Sequence, residues 1–307
     1  MASRDQTMKL VDGRTLAFAD LGDPAGAPVF VFPGLAGSRL EAAILESAAL
    51  TVGVRLIAPD LPGCGLSEPK PSRTFSDWPE DMVQLASHLR LYEFAILGIS
   101  AASPLVIACA DRIADRLTAA GIVSPMAPLA GPFTGTSMAP GLSRLMLSSS
   151  RTAWTARRAL ERVEQQARTN VAALLDHVAA QCADVDRLIL DEPQVREVLR
   201  DSLIDTFRQG SVGPGQELVL LRHSWHIAWK QVAFPVQLWH GRRDTLTPPS
   251  MAEELAALLP HTLTRWYPDG GHSILVVHAQ EILHQLIGSG NVTHADATVT
   301  PRAHAPE

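Results

Sequence analysis

The sequence predicts an α/β protein: a mostly parallel, doubly wound sheet interrupted by one helical insertion. Three observations lead there. Short apolar runs alternate with helical patterns from residue 8 to 125, and again from 231 to 288. Several of those runs are continuously apolar, which marks strands buried on both faces. Between the two stretches, from Met126 to Lys230, the alternation stops. A loop rich in Pro, Gly and Ser gives way there to helical periodicity alone.

Met8–Leu10 and Thr15–Ala19 flank Asp12-Gly13, a hairpin signal between two short strands. Val29-Phe-Val-Phe32 reads as a buried strand that runs into Pro33-Gly34-Leu35-Ala36-Gly37-Ser38. A helix is expected over 39–50, with Ser38 as its N-cap. Residues 54–58 form another buried strand, and 59–67 a turn-rich loop whose shape is assigned to Asp60. Trp78, Met82, Leu85 and Leu89 then recur at helical spacing after Asp77.

Phe94–Leu97 is the next apolar run, followed by Gly98, Ser100 and Ala102 at the spacing small-x-Ser-x-small and by an apolar helix over 105–110. A serine on a sharp turn between strand and helix has its hydroxyl pushed into the open, and its neighbours are small because two backbones pass close by. Leu117–Val123 is a further strand. Helical periodicity in the insertion covers 153–166, 170–181, 195–207 and 217–229. Alternation resumes with Val236–His240, a helix over 250–259, Leu263–Tyr267 and a helix over 279–286. The expected division is a core of 1–125 and 231–288, a helical cap of 126–230, and a disordered tail of small and polar residues over 289–307.

With 307 residues and 46% hydrophobic content, the chain can bury a sizeable core. A net charge of -6 argues against nucleic acid as the main partner. Cys64, Cys109 and Cys182 are odd in number and fit no metal or redox spacing, so reduced thiols are expected. The first residues are polar and no apolar run reaches the roughly 18 residues of a spanning helix. A cytoplasmic protein without membrane attachment is expected.

A serine hydroxyl needs a base within hydrogen-bond reach, and that base needs an acidic orienter. Gly241-Arg-Arg-Asp244 follows the strand ending at His240, and Pro268-Asp-Gly-Gly-His272 follows the strand ending at Tyr267. Ser100, Asp244 and His272 thus stand in the order Ser, Asp, His, each just after a different strand, where open α/β sheets bind their ligands. Taken singly, each has an ordinary reading: a turn serine, a turn or N-cap aspartate, a helix-capping histidine. An oxyanion hole also needs two N–H groups. Ala101, directly after Ser100, offers one, and the Pro33-Gly34-Leu35 turn offers the other, at Leu35.

The chain resembles the α/β-hydrolase superfamily in Phe32-Pro-Gly-Leu-Ala-Gly-Ser-Arg39, Ala58-Pro-Asp-Leu-Pro-Gly-Cys-Gly-Leu-Ser67, Gly98-Ile-Ser-Ala-Ala102, Trp239-His-Gly-Arg-Arg-Asp244 and Gly270-Gly-His272. The resemblance covers roughly residues 8–125 and 230–288. It implies a nucleophile at Ser100, a general base and acid at His272, an orienter at Asp244, and oxyanion donors at Leu35 and Ala101. Two positions depart from the pattern. Pro33-Gly34 stands where His-Gly is common, and Ala102 where glycine is usual.

Gly34, Trp225 and Trp229 are candidate pocket residues, although both tryptophans also read as packing residues. His223 and His226 have i, i+3 spacing but no carboxylate or cysteine in a zinc-like pattern, so no metal is expected. Arg157, Arg158, Arg162 and Arg168 form the basic side of one helix, read first as a solvated face and second as a site for an anionic substrate. His240 is read as structural. The resulting expectation is a cofactor-free serine hydrolase that cleaves an ester, thioester or lactone of a small or medium-sized molecule. The alternatives are a C–C bond hydrolase of an activated diketone with the same triad, or a lyase, cyclase or ligand-binding protein on the same fold. The sequence is compatible with a homodimer.

Overall fold

The computed structural model of the protein describes residues 3–129, 138–140 and 153–288. The expected tail over 289–307 lies outside them, as does part of the loop that opens the insertion.

Eight strands form one sheet in the order β1-β2-β4-β3-β5-β6-β7-β8. β1 (Ser3–Lys9) and β2 (Thr15–Gly22) form the hairpin around Asp12-Gly13. β2 also runs antiparallel to β4 (Val54–Pro59), and every later pairing is parallel. β3 (Ala27–Phe32), β5 (Phe94–Ile99), β6 (Leu117–Val123), β7 (Val236–Gly241) and β8 (Thr262–Tyr267) end in near register. Phe32 pairs with Gly98, Ile99 with Val123, Val123 with Trp239, and Gly241 with Tyr267. With β4, which runs parallel to β3 and ends beside it, six chain segments leave the sheet along one carboxyl edge, and that edge is where the candidate residues converge.

The central strands are buried on both faces. Phe30, Phe32, Ile57 and Ile96 face one apolar layer, with α2 (Trp78–His88) and α3 (Ser103–Arg112) packed against it. Val29, Val31, Leu56 and Leu97 face the other, covered by α1 (Glu46–Val52) and a C-terminal helix described below. This two-sided burial is what their unbroken apolar composition demands.

The helix expected over 39–50 is divided. A 3-10 segment spans Arg39–Leu45 before α1 begins. Its opening turn directs both the backbone N–H and the guanidinium of Arg39 onto buried Asp60, at 2.7 and 2.8 Å. The insertion holds α4 (Ala153–Thr169), α5 (Val171–Ala179), α6 (Asp184–Leu190), α7 (Pro193–Thr206) and α8 (Val212–Arg222). α6 was not anticipated. The helix expected over 217–229 instead spans 212–222. Its first turn contains Gly213 and Pro214, which read as breakers, but the first N–H groups of a helix need no intrahelical partner. Gly213 is needed because a Cβ there would run into the Gly63 carbonyl. After β7 come α9 (Pro249–Leu258), then β8, α10 (Ile274–Val277) and α11 (Ala279–Gly288). No helix among the described residues is long and apolar enough to cross a membrane.

Candidate active site

Ser100 begins a 3-10 turn, Ser100–Ala102, between β5 and α3. Its φ is 53°, in the left-handed region. That conformation costs a side-chain-bearing residue about 1–2 kcal/mol and lifts the side chain off the strand end. The turn is tied in place by Ser103 Oγ, which donates to the Ser100 carbonyl at 2.7 Å and accepts from Met126 N–H at 2.9 Å. A Cβ at Gly98 would lie 2.5 Å from Val106 Cγ2 and 3.3 Å from Ala102 Cβ. Gly98 is therefore the position that admits no side chain. Its bareness leaves room for alanine at 102.

His272 Nδ1 lies 2.8 Å from Asp244 Oδ2. The other carboxylate oxygen, Oδ1, accepts from the N–H groups of Leu246 (2.8 Å) and Thr247 (3.0 Å). Thr247 Oγ1 lies 2.9 Å from Oδ2. Asp244 is buried, and burial pushes its carboxyl up. The charge and hydrogen bond of His272, with help from His240 and Thr247 N–H, outweigh that and hold it below the usual carboxylate range. Burial likewise works against the charged form of His272, but Asp244 above all, then Asp186, raise its affinity for a proton.

His240 has the partners that the sequence did not reveal. Its Nε2–H donates to the Thr247 carbonyl at 2.9 Å and lies 3.6 Å from Asp244 Oδ2. Burial lowers its pKa to about 4, so it stays neutral beneath the carboxylate. The His272 backbone is gripped from two sides. Ser124 Oγ donates to its carbonyl at 2.8 Å, and Asp186 on α6 accepts its N–H at 2.9 Å and that of Ser273 at 2.8 Å.

Ser100 and His272 line one cavity of about 610 Å³ between the sheet edge and the insertion. Gly34 and Leu35 line it as well. A Cβ built on Gly34 would lie 3.8 Å from Ser100 Cβ, so the 33–38 loop runs directly beside the serine turn. Ala101 N–H belongs to the first turn after β5, where no intrahelical acceptor exists. Apolar side chains from the insertion, among them Leu160, Leu174, Leu199 and Leu203, line the wall together with Leu45, Leu246 and Leu275 of the core.

The family model described as the alpha/beta hydrolase fold matches residues 27–279. The chain belongs to this family. Among solved structures, the alpha/beta hydrolase is similar to a thermophilic esterase from Thermogutta terrifontis (TM-score 0.68, 19% identity, covering 94% of this chain and 100% of that one). It is also similar to the enol-lactonase from Burkholderia xenovorans LB400 (TM-score 0.65, 20% identity, covering 92% and 99%). At those identities the likeness is one of fold. A pimeloyl-[acyl-carrier protein] methyl ester esterase from Aromatoleum aromaticum is 36% identical over 78 residues, which is 25% of this chain and 31% of that protein.

Of the other residues singled out in this alpha/beta hydrolase, all but Arg162 and Cys182 lie outside the cavity lining. Trp225 is buried against Phe75 and Trp229, with ring centroids at 6.0 and 5.7 Å, and neither tryptophan lines the cavity. His223 and His226 follow the end of α8 in non-helical backbone, so they share no helix face. Arg157 and Arg158 pair with Glu161, and Arg168 with Glu164, while Arg162 lines the cavity. All three cysteines are free and buried.

The insertion is joined to the core by buried charge. Arg39 bridges Asp60 of the core and Asp205 of α7, and Arg73 pairs with Glu217 of α8. Sequence reasoning missed Asp186, Asp205 and Glu217 as anchors, because a carboxylate in a helical pattern reads as solvated surface. Glu41 was missed as well, although Ser38-x-x-Glu41 has capping-box spacing.

Proposed function

We propose that the protein is a serine hydrolase that cleaves a carboxylic ester, thioester or lactone of a small or medium-sized molecule. The observation that carries this reading is the 2.8 Å contact of His272 Nδ1 with Asp244 Oδ2, beside a cavity that Ser100 and His272 both line. With Nδ1–H donated to the carboxylate, the lone pair of the imidazole is at Nε2, the nitrogen that can take a proton from a serine hydroxyl. Ser100 Oγ attacks the substrate carbonyl as His272 accepts its proton, forming a tetrahedral oxyanion. The N–H groups of Leu35 and Ala101 stabilise that charge. The intermediate collapses as His272 returns the proton to the leaving oxygen or sulfur. The resulting acyl-Ser100 ester is cleaved by a water that gives its proton to His272, and His272 passes that proton to Ser100 Oγ as the C–Oγ bond breaks and the acid leaves. Asp244 stays ionised throughout and stabilises the imidazolium.

The esterase and lactonase names among similar proteins support the reaction class. The apolar wall and a volume of about 610 Å³ suit an acyl or alcohol group larger than acetyl. The insertion supplies much of that wall, so it helps to set the substrate and to exclude water during acylation.

A panel of p-nitrophenyl esters of rising chain length tests the reading. We expect turnover, with an initial burst of one equivalent where acylation outruns hydrolysis, and loss of both in Ser100→Ala. Turnover confined to a vinylogous diketone would assign the site to C–C bond hydrolysis instead.

A further inference from the structure

Glu41 is the only carboxyl group among the described residues that line the cavity, and the reaction just described does not use it. It stands three residues after Ser38, the N-cap of the 3-10 segment, whose Oγ accepts from Leu40 N–H at 3.4 Å. A capping-box glutamate returns to the backbone N–H of its cap residue. Here that N–H is taken, since Ser38 N–H donates to Ser202 Oγ of α7 at 2.9 Å. Glu41 turns the other way, and its Oε2 accepts from Gly34 N–H at 3.3 Å.

The consequence appears along the whole loop. Pro33 has no N–H. Gly34 N–H goes to Glu41, Gly37 N–H to the Gly34 carbonyl at 3.0 Å, Ser38 N–H to α7, and Arg39 N–H to Asp60. The Ala36 carbonyl accepts from Thr206 Oγ1 at 2.9 Å. Leu35 and Ala36 retain N–H groups with no partner among the described residues. The loop thus spends its other donors on fixing itself and leaves free the N–H groups of Leu35 and Ala36, directly after Gly34, which lies beside Ser100. A side chain at residue 37 would run into Glu41 Oε2, so Gly37 makes the space that the carboxyl occupies.

We propose that Glu41 is a positioning residue: it holds the Pro33-Gly34-Leu35 turn by the Gly34 N–H, so that Leu35 N–H stays aimed at the substrate's carbonyl oxygen. The inference rests on the serine hydrolase reading. It also explains how a loop with proline where histidine is common can still present a donor: the anchor comes from the following turn. A negative charge here would oppose the forming oxyanion, so the neutral acid is the useful form. Burial favours that form, while Gly34 N–H and His272 favour the ionised one. The carbonyl oxygen of a neutral acid, or of an amide, accepts the same hydrogen bond.

Three variants of the full chain, assayed on the best p-nitrophenyl ester, test this. Complete loss of one oxyanion donor lowers kcat by about 100–1,000-fold, and a loosened one less. Glu41→Gln keeps the acceptor and should stay within about 3-fold of wild-type kcat. Glu41→Leu removes it and should lower kcat roughly 10–100-fold with KM changed less than about 3-fold. Glu41→Asp, one methylene too short, should behave like Glu41→Leu, and decides the question if Glu41→Leu does not fold. Wild-type kcat in Glu41→Leu or Glu41→Asp, or an equal fall in all three, would overturn the inference while leaving the hydrolase reading intact. A wild-type protein that turns over no ester would overturn both.

Discussion

The Asp186 carboxylate of the insertion accepts the backbone N–H groups of His272 (2.9 Å) and Ser273 (2.8 Å) in the core. The residue proposed as general base is therefore held by its side chain to Asp244 and by its backbone to the helices of the insertion. The space that Asp186 fills also requires glycine at 271, since a Cβ there would meet its carboxylate.

Asp186→Ala leaves two N–H groups without an acceptor, each costing about 1–3 kcal/mol. We expect a clear drop in Tm. We also expect kcat to fall by roughly 10-fold or more, because His272 loses its fixed position. Thermal melts and ester kinetics on the same preparation check it. A variant with lower Tm but unchanged kcat would show that Asp186 serves the fold alone.

The His272 imidazole is held above its ordinary pKa of 6.5, and a general base must be neutral. The acid limb of kcat/KM should therefore lie above pH 6.5, and activity should rise with pH through it. Asp244→Asn removes the largest favourable influence on the imidazolium, so the limb should move to lower pH while the rate falls. The sign for stability is the reverse. The folded protein binds this proton more tightly than the unfolded chain. The contribution is complete below about 6.5 and disappears as pH rises through the folded value. Stability curves from pH 5 to 9 test that direction.

Arg39 bridges two buried carboxylates. Burial already raises Asp60 to about 6, despite the guanidinium beside it. Among the described residues, Arg39→Met takes the only paired cation from Asp60 and leaves Asp205 with the exposed Arg208 alone, and losing one partner of a buried pair costs roughly 3–5 kcal/mol. Urea unfolding should show a loss of that size. Arg200→Met, which removes an exposed pair on the same helix as Asp205, should cost less than about 1 kcal/mol.

Trp225 packs against Phe75 and Trp229 and does not line the cavity. Trp225→Ala should cost about 3–5 kcal/mol of stability. At temperatures where the variant is folded, its KM for short esters should stay within about 2-fold of wild type. Leu174→Trp, which fills the cavity wall, should do the opposite: near-native stability and a loss of kcat/KM that grows with acyl length.

The centre of the sheet was legible because strands such as β3 and β5 are buried on both faces and so are written as unbroken apolar runs, whereas the half-buried edge strand β8 was legible from its place in the strand-helix alternation. Ser100, Asp244 and His272 were legible as candidates because each stands in the loop or turn after a predicted strand, so strand order alone places them on one edge. What binds the insertion to that edge was not legible. Asp186, Asp205 and Glu217 reach core loops more than eighty residues away in sequence, and each looks like one more charge on a helix surface. α8 was misplaced for a related reason: Gly213 and Pro214 look like a break until the close approach of Gly63 is known. Glu41 carried a local signal in Ser38-x-x-Glu41. Its actual partner depends on Ser202, 164 residues from Ser38, having taken the N–H that a capping box would use.

The most direct test of the account is covalent labelling of Ser100. The protein should react with a fluorophosphonate at one equivalent per chain, with the adduct located by mass spectrometry on the peptide carrying Gly98-Ile-Ser-Ala-Ala102. Ser100→Ala should take up no label, and His272→Ala should react far more slowly. A folded wild-type protein that takes up no label, or carries it at another serine, would contradict the assignment of Ser100 as the nucleophile.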